Sequence, residues 1–122
     1  MVNFIAIDHV QLAMPVGAED VAREFYSGLL GMSEIAKPAE LANRGGCWFQ
    51  SGSVQIHLGV EEDFRPAKKA HPALICASYD DLVSHLRAVG VAAYEANDIP
   101  GVRRCHVHDP VGNRIELMAP TT

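Results

Sequence analysis

Four residues of metal-ligating type recur at matching places along the 122-residue chain: His9, His57, His71 and Glu116. Imidazole nitrogens and carboxylate oxygens are donors for divalent cations, which need several of them converging from rigid elements. His9 stands in IAIDHVQLAM, His57 in VQIHLGV, His71 in HPALICAS and Glu116 in RIELMAP. Each run reads as a strand, and a strand sends alternate side chains to opposite faces. In VQIHLGV, Val54, Ile56, Leu58 and Val60 share an aliphatic face, which leaves His57 with Gln55 and Gly59 on the other. By the same alternation His9 falls opposite Val10, Leu12 and Met14, and Glu116 falls opposite Ile115 and Leu117. Three imidazoles and one carboxylate suit Zn, Ni, Co, Mn or Fe(II). Two imidazoles and the carboxylate would make the triad of non-haem Fe(II) oxygenases.

The elements that carry these residues repeat. A strand over 5–14 ends at Pro15 and Gly17, and a helix over about 18–30 follows, with Val21, Phe25 and Leu29 spaced by four and Gly31 just past its end. Short strands are expected at 34–37, 46–50 and 53–60, with Ser51-Gly52 as a tight hairpin. Residues 61–70, polar and broken by Pro66, read as a linker. A strand then opens at His71. Ser78 to Asp81 has the form of a capping box, and a helix runs to about Val89 with Leu82, Leu86 and Val89 on its stripe. Strands near 92–95 and 103–108, the turn Asp109-Pro110-Val111-Gly112-Asn113 and the strand RIELMAP complete the chain.

The order strand, helix, three strands therefore occurs twice, about 5–60 and about 71–119, within one domain spanning 1–122. His9 and His57 lie 48 residues apart, His71 and Glu116 lie 45 apart. The first and last strand of each half each carry one ligand-type residue. If the halves curl into facing half-barrels, the four can meet in one cavity.

Other polar residues have plainer readings. His106 and His108 form an HxH pair that can chelate, but they are read as one cavity-wall and one rim histidine. His85 packs on the second helix or faces solvent. Asp80 and Asp81 supply charge at a helix N-terminus. Arg65, Lys68, Lys69, Arg103 and Arg104 are read as solvated, with recognition of a carboxylate or phosphate as the alternative. Trp48 and Phe64 could line a pocket, and Phe49 equally the core.

Bulk properties exclude several classes. The net charge of −5 argues against a nucleic-acid partner. No apolar run approaches the roughly 20 residues that cross a bilayer. The start, MVNFIAIDHV, has no basic region or long apolar core of a secretory signal. Three widely spaced cysteines, Cys47, Cys76 and Cys105, fit reduced thiols in a cytoplasm, and there is no CxxC.

The segments EFYSGLLGM, VQIHLGV, AHPALICAS and HDPVGNRIELMAP resemble the vicinal oxygen chelate superfamily, which includes glyoxalase I, extradiol dioxygenases and bleomycin-resistance proteins. The resemblance runs from about Ile7 to Ala119. It implies an α+β fold of two βαβββ modules forming a cupped, half-barrel-like mixed sheet with helices outside, paired across a homodimer. It implies metal ligands at His9, His57, His71 and Glu116, with Glu116 also the carboxylate available as a base. The activity it implies is metal-dependent isomerase or lyase chemistry on a small molecule, in which two neighbouring substrate oxygens are chelated. An Fe(II) dioxygenase and a metal-dependent thiol transferase are the alternatives, since such enzymes resemble the His9, His71, Glu116 subset. From another class comes a metal-free drug-binding protein.

Overall fold

The computed structural model describes residues 2–121. Its elements are β1 (Val10–Met14), α1 (Glu19–Arg23) continued by a π-helical turn (Glu24–Leu29), β2 (Ser33–Ile35), a 3-10 segment (Ala39–Arg44), β3 (Cys47–Ser51) and β4 (Val54–Val60). After the connection come β5 (Ala73–Ile75), α2 (Tyr79–Ala88), β6 (Tyr94–Glu95), β7 (Arg104–His108) and β8 (Arg114–Met118). The βαβββ order is thus found twice.

The strands form two four-stranded mixed sheets, in the orders β1-β4-β3-β2 and β5-β8-β7-β6, and no closed barrel. In each, the first strand runs parallel to the last and the other pairings are antiparallel. One core is built from the inward faces of both sheets and the inner stripes of both helices: Leu12, Met14, Phe49, Ile56 and Leu58 from the first sheet, Cys105, Val107, Ile115 and Leu117 from the second. This is the aliphatic face of the alternation, and it leaves the opposite face of each sheet for other work.

The halves are joined by polar contacts from the turn after β7. The Tyr26 hydroxyl donates to Asp109 Oδ2 at 2.7 Å, both groups being buried. Asn113 Nδ2 donates to the Ala13 carbonyl of β1 at 2.8 Å, and its Oδ1 accepts from the Ala67 N–H at 3.0 Å. Burial, reinforced by the charge of Asp109 and the hydrogen bond to it, pushes the Tyr26 phenol far above its ordinary value. Turn chemistry explained Asp109 and Asn113 in the sequence. In the fold they also fasten the second module to the first.

Several local expectations are corrected. The first strand is regular only from Val10. Residues 2–9 pair with no strand among the described residues, and Phe4 (93% exposed) and Ile5 (97%) stand in solvent. The first helix widens over 24–29, where the Leu30 N–H reaches back five residues to the Phe25 carbonyl. The wider turn rotates the buried face to Ala22, Phe25 and Tyr26 and leaves Val21 exposed. The capping box does not form, since Ser78 makes no side-chain cap bond. α2 buries Tyr79, Val83 and Leu86, while Val89, just past its end, is exposed. No helix among the described residues is long and apolar enough to cross a membrane.

Candidate metal centre

The two sheets carry their ligand-type residues as two separate groups. On the second sheet, β8 presents Glu116 and the adjoining residue pair places His106 of β7 opposite it. His71, just before β5, closes the group. One donor atom from each of His71, His106 and Glu116 lies within 4.8 Å of the others. His9 and His57 do not belong to this cluster. His57 stands on the first sheet and His9 just before its first strand, where His9, His57 and Trp48 form a three-ring stack. The centroid of His57 is 4.0 Å from that of His9 and 3.8 Å from that of Trp48, and the rings are within about ten degrees of parallel. Trp48 and His57 are register partners on β3 and β4, which is why their rings meet.

Hydrogen-bond partners fix what each imidazole can offer, because a bond at one ring nitrogen decides the role of the other. His71 Nδ1 lies 2.7 Å from the Lys69 carbonyl, a pure acceptor, so Nδ1 carries the proton. That turns Nε2 toward Glu116 Oε1 at 2.9 Å. A neutral ring would hold a lone pair against a carboxylate oxygen there, so the contact needs a second proton on the ring or a cation between the two atoms. An imidazole fixed by a backbone carbonyl and aiming its other nitrogen at a carboxylate is the usual support of a metal-ligating histidine. His9 is oriented in the same sense, with Nδ1 on Asp8 Oδ2 at 2.9 Å and Nε2 free. His71, His106 and Glu116 are close enough together to hold a divalent cation.

His57 and His106 are held in the opposite sense. His57 Nε2 donates to Gln55 Oε1 at 3.0 Å, and the ring, 2% exposed, is covered on both faces. Burial, together with the neighbouring His9, lowers its pKa. His106 Nδ1 accepts from Arg114 at 3.2 Å, which places the proton of a neutral ring on Nε2. That Nε2 is buried, has no hydrogen-bond partner and faces Glu116 Oε1 at 3.4 Å. Burial first, and Arg114 second, lower the pKa of His106.

Glu116 is 6% exposed and unusual for a buried carboxylate in its density of partners. Its Oε1 also accepts from Arg104 at 3.2 Å, and Arg104 in turn pairs with Asp98 at 2.7 Å. Burial alone would push this carboxyl up. The hydrogen bonds from His71 and Arg104, with the charge of Arg104, outweigh it and hold the group below the usual carboxylate range. Sequence reasoning gave His106 a wall position and left Arg104 in solvent. Their common face with Glu116 was readable from alternation on β7, but the pairing of β7 with β8 that brings them together was not.

No known protein-family profile matches the sequence, and no curated protein matches it. Solved structures do. A protein assigned to the glyoxalase family from Bacillus anthracis is 50% identical over 98% of both chains, with a TM-score of 0.94. FosX, a fosfomycin resistance protein from Listeria monocytogenes, shares the fold at 18% identity and a TM-score of 0.72, over 99% of this chain and 96% of its own. TnmS3, an antibiotic binding protein from a Streptomyces species, shares it at 24% identity and 0.71, over 96% and 99%. The chain belongs to the glyoxalase family of the vicinal oxygen chelate superfamily.

Proposed function

We propose that the protein is a metal-dependent small-molecule enzyme of glyoxalase type, with isomerase or lyase chemistry. The observation that supports this best is the His71–Glu116 contact, where a ring with its proton committed to Lys69 confronts a carboxylate at 2.9 Å. The ligands are His9, His71 and Glu116. His57 stands behind His9 as a stacked support, and joins as a fourth ligand only by giving up its bond to Gln55. A bound divalent cation supplies Lewis-acid polarisation of two neighbouring substrate oxygens. The chain's own residues do the rest. Arg104 holds Glu116 ionised, and His106 presents an N–H toward the same oxygen. Glu116 is also the carboxylate that would accept a proton from carbon beside the substrate carbonyl.

The partner in this reading is a second copy of the chain. The two donor groups sit on different sheets, and among the described residues the pair His9–His57 joins no cluster of three ligand-type groups. The exposed apolar residues Val2, Phe4, Ile5 and Ile7 lead directly into β1, whose outer edge is unpaired among the described residues. Large exposed apolar surface of this kind marks an association site. A homodimer would cover it and bring the first sheet of one protomer to the second sheet of the other.

Metal analysis of purified protein, wild type against Glu116→Ala, tests the proposal. Stoichiometric metal in the wild type that falls in the variant is expected, and iron as that metal would move the reading to a dioxygenase. A wild type that binds no divalent metal would overturn it in favour of metal-free drug binding.

A further inference from the structure

Beside the three-ring stack, on the face of the first sheet that carries His57, lies a cavity of about 190 Å³. Gln11 of β1, Trp48 of β3 and Gly59 of β4 form its floor, and Lys37, Arg44 and Gly45 close its side. Gln11 and Trp48 are both register partners of His57, so the cavity adjoins the first sheet's donor pair. Two glycines let neighbouring side chains pack against the backbone at its border. A Cβ on Gly59 would fall 2.5 Å from Gln11 Nε2, and one on Gly45 (φ +72°) would fall 2.9 Å from Val60 Cγ2. Two cations border it. Lys37 Nζ donates to the Gly45 carbonyl, which holds the ammonium at the wall. Arg44 has no hydrogen bond or ion pair among the described residues. The nearby carboxylate, Glu19, accepts from the Gly46 N–H at 2.9 Å through one oxygen and also lies within the charge of Lys37. An aromatic floor, a free amide, a fixed ammonium and an unengaged guanidinium form a chemistry that takes a small anion with an organic body.

We infer that this cavity is an anion subsite, which receives the carboxylate, phosphonate or phosphate of the substrate while the substrate's neighbouring oxygens reach the metal. The inference rests on the proposed function for the word substrate, but the anion site itself stands without it. A guanidinium gives two parallel N–H donors to such a group and an ammonium adds a point charge. The cavity has room for about six water volumes, enough for an oxyanion and a few carbons.

Trp48 is the only tryptophan in the chain, so its fluorescence reports on this cavity and on the ring stack beside it. The experiment titrates metal-free protein, kept in chelator, with inorganic phosphate and separately with methylphosphonate and acetate, at ionic strength held constant with chloride to remove screening. A saturable change with half-effect below about 50 mM is expected for at least one of the three anions. Arg44→Gln and Lys37→Gln should each weaken it about tenfold, and Arg44→Gln, at an exposed side chain, should leave the melting temperature unaltered. Glu116→Ala should bind the anion as wild type does while losing metal. An unsaturable response, or equal responses in wild type and Arg44→Gln, would overturn the inference. Anion binding in a protein that takes up no metal would retain the subsite and refute the enzyme reading, so the two failures are distinguishable.

Discussion

Two chains that are each defective should repair one another if the centre is shared between protomers. His9→Ala removes a donor from the first sheet and Glu116→Ala removes one from the second. When the two variants are mixed in equal amounts, unfolded and refolded together, random assortment makes about half of the pairs unlike. In an unlike pair, one site has lost both donors and the other has kept both. Metal sites should therefore return to about a quarter of the wild-type number. Each variant alone has a donor missing at every site. Even loss of a group that merely orients a ligand costs about 10- to 100-fold in metal affinity, so with zinc held near the wild-type saturation point the separate variants should stay nearly empty. Equilibrium dialysis with zinc, read by mass spectrometry of the retained metal, gives the count. The geometry behind the number is the division of donors, with His9 stacked on His57 in one sheet and His71 at 2.9 Å from Glu116 in the other. An empty mixture would refute the shared site, since a centre within one chain is never whole in either variant. Full occupancy of His9→Ala alone would refute it differently, by showing that His71, His106 and Glu116 suffice.

Two further outcomes follow from contacts away from the centre. Tyr26→Phe removes the buried 2.7 Å bond to Asp109 and should cost about 1–3 kcal/mol; an unchanged urea midpoint would contradict the fastening role given to it. Glu19→Gln should flatten the acid limb of the stability curve. The Gly46 N–H first, with Arg23 and Lys37, holds the Glu19 carboxyl below its ordinary 4.5. A depressed folded value gives stability that is present above about pH 4.5 and is lost as pH falls through the lower folded value. Denaturation of wild type and variant at a series of pH values should show parallel curves above that point and a steeper decline for wild type below it; equal slopes would contradict the assignment.

Much of this arrangement was legible before any coordinates. Alternation along β1, β4 and β8 put His9, His57 and Glu116 opposite the aliphatic faces, because a core selects one face of a strand and the pleat then fixes the other. Repetition of the βαβββ order was equally visible, since each module repeats its turn and helix-end glycines. Tautomers were not. Which nitrogen of His57 or His106 carries a proton depends on Gln55 and Arg114, and only the folded registers decide that. The widened turn at 24–29 was hidden for another reason: Phe25 and Tyr26 satisfy a helical stripe in either winding, and the need to bring both inward at once comes from the Asp109 turn arriving from 83 residues away. Arg104 was read as a surface cation because its two carboxylate neighbours, Asp98 and Glu116, come from a loop and a strand that sequence spacing does not relate.

The absence of a ladder between the two sheets has one last consequence. Among the described residues no strand hydrogen bonds cross the seam, so the walls are held to one another by their shared core and by a hydroxyl and an amide, and substitutions there, not in the ladders, would set the angle between them.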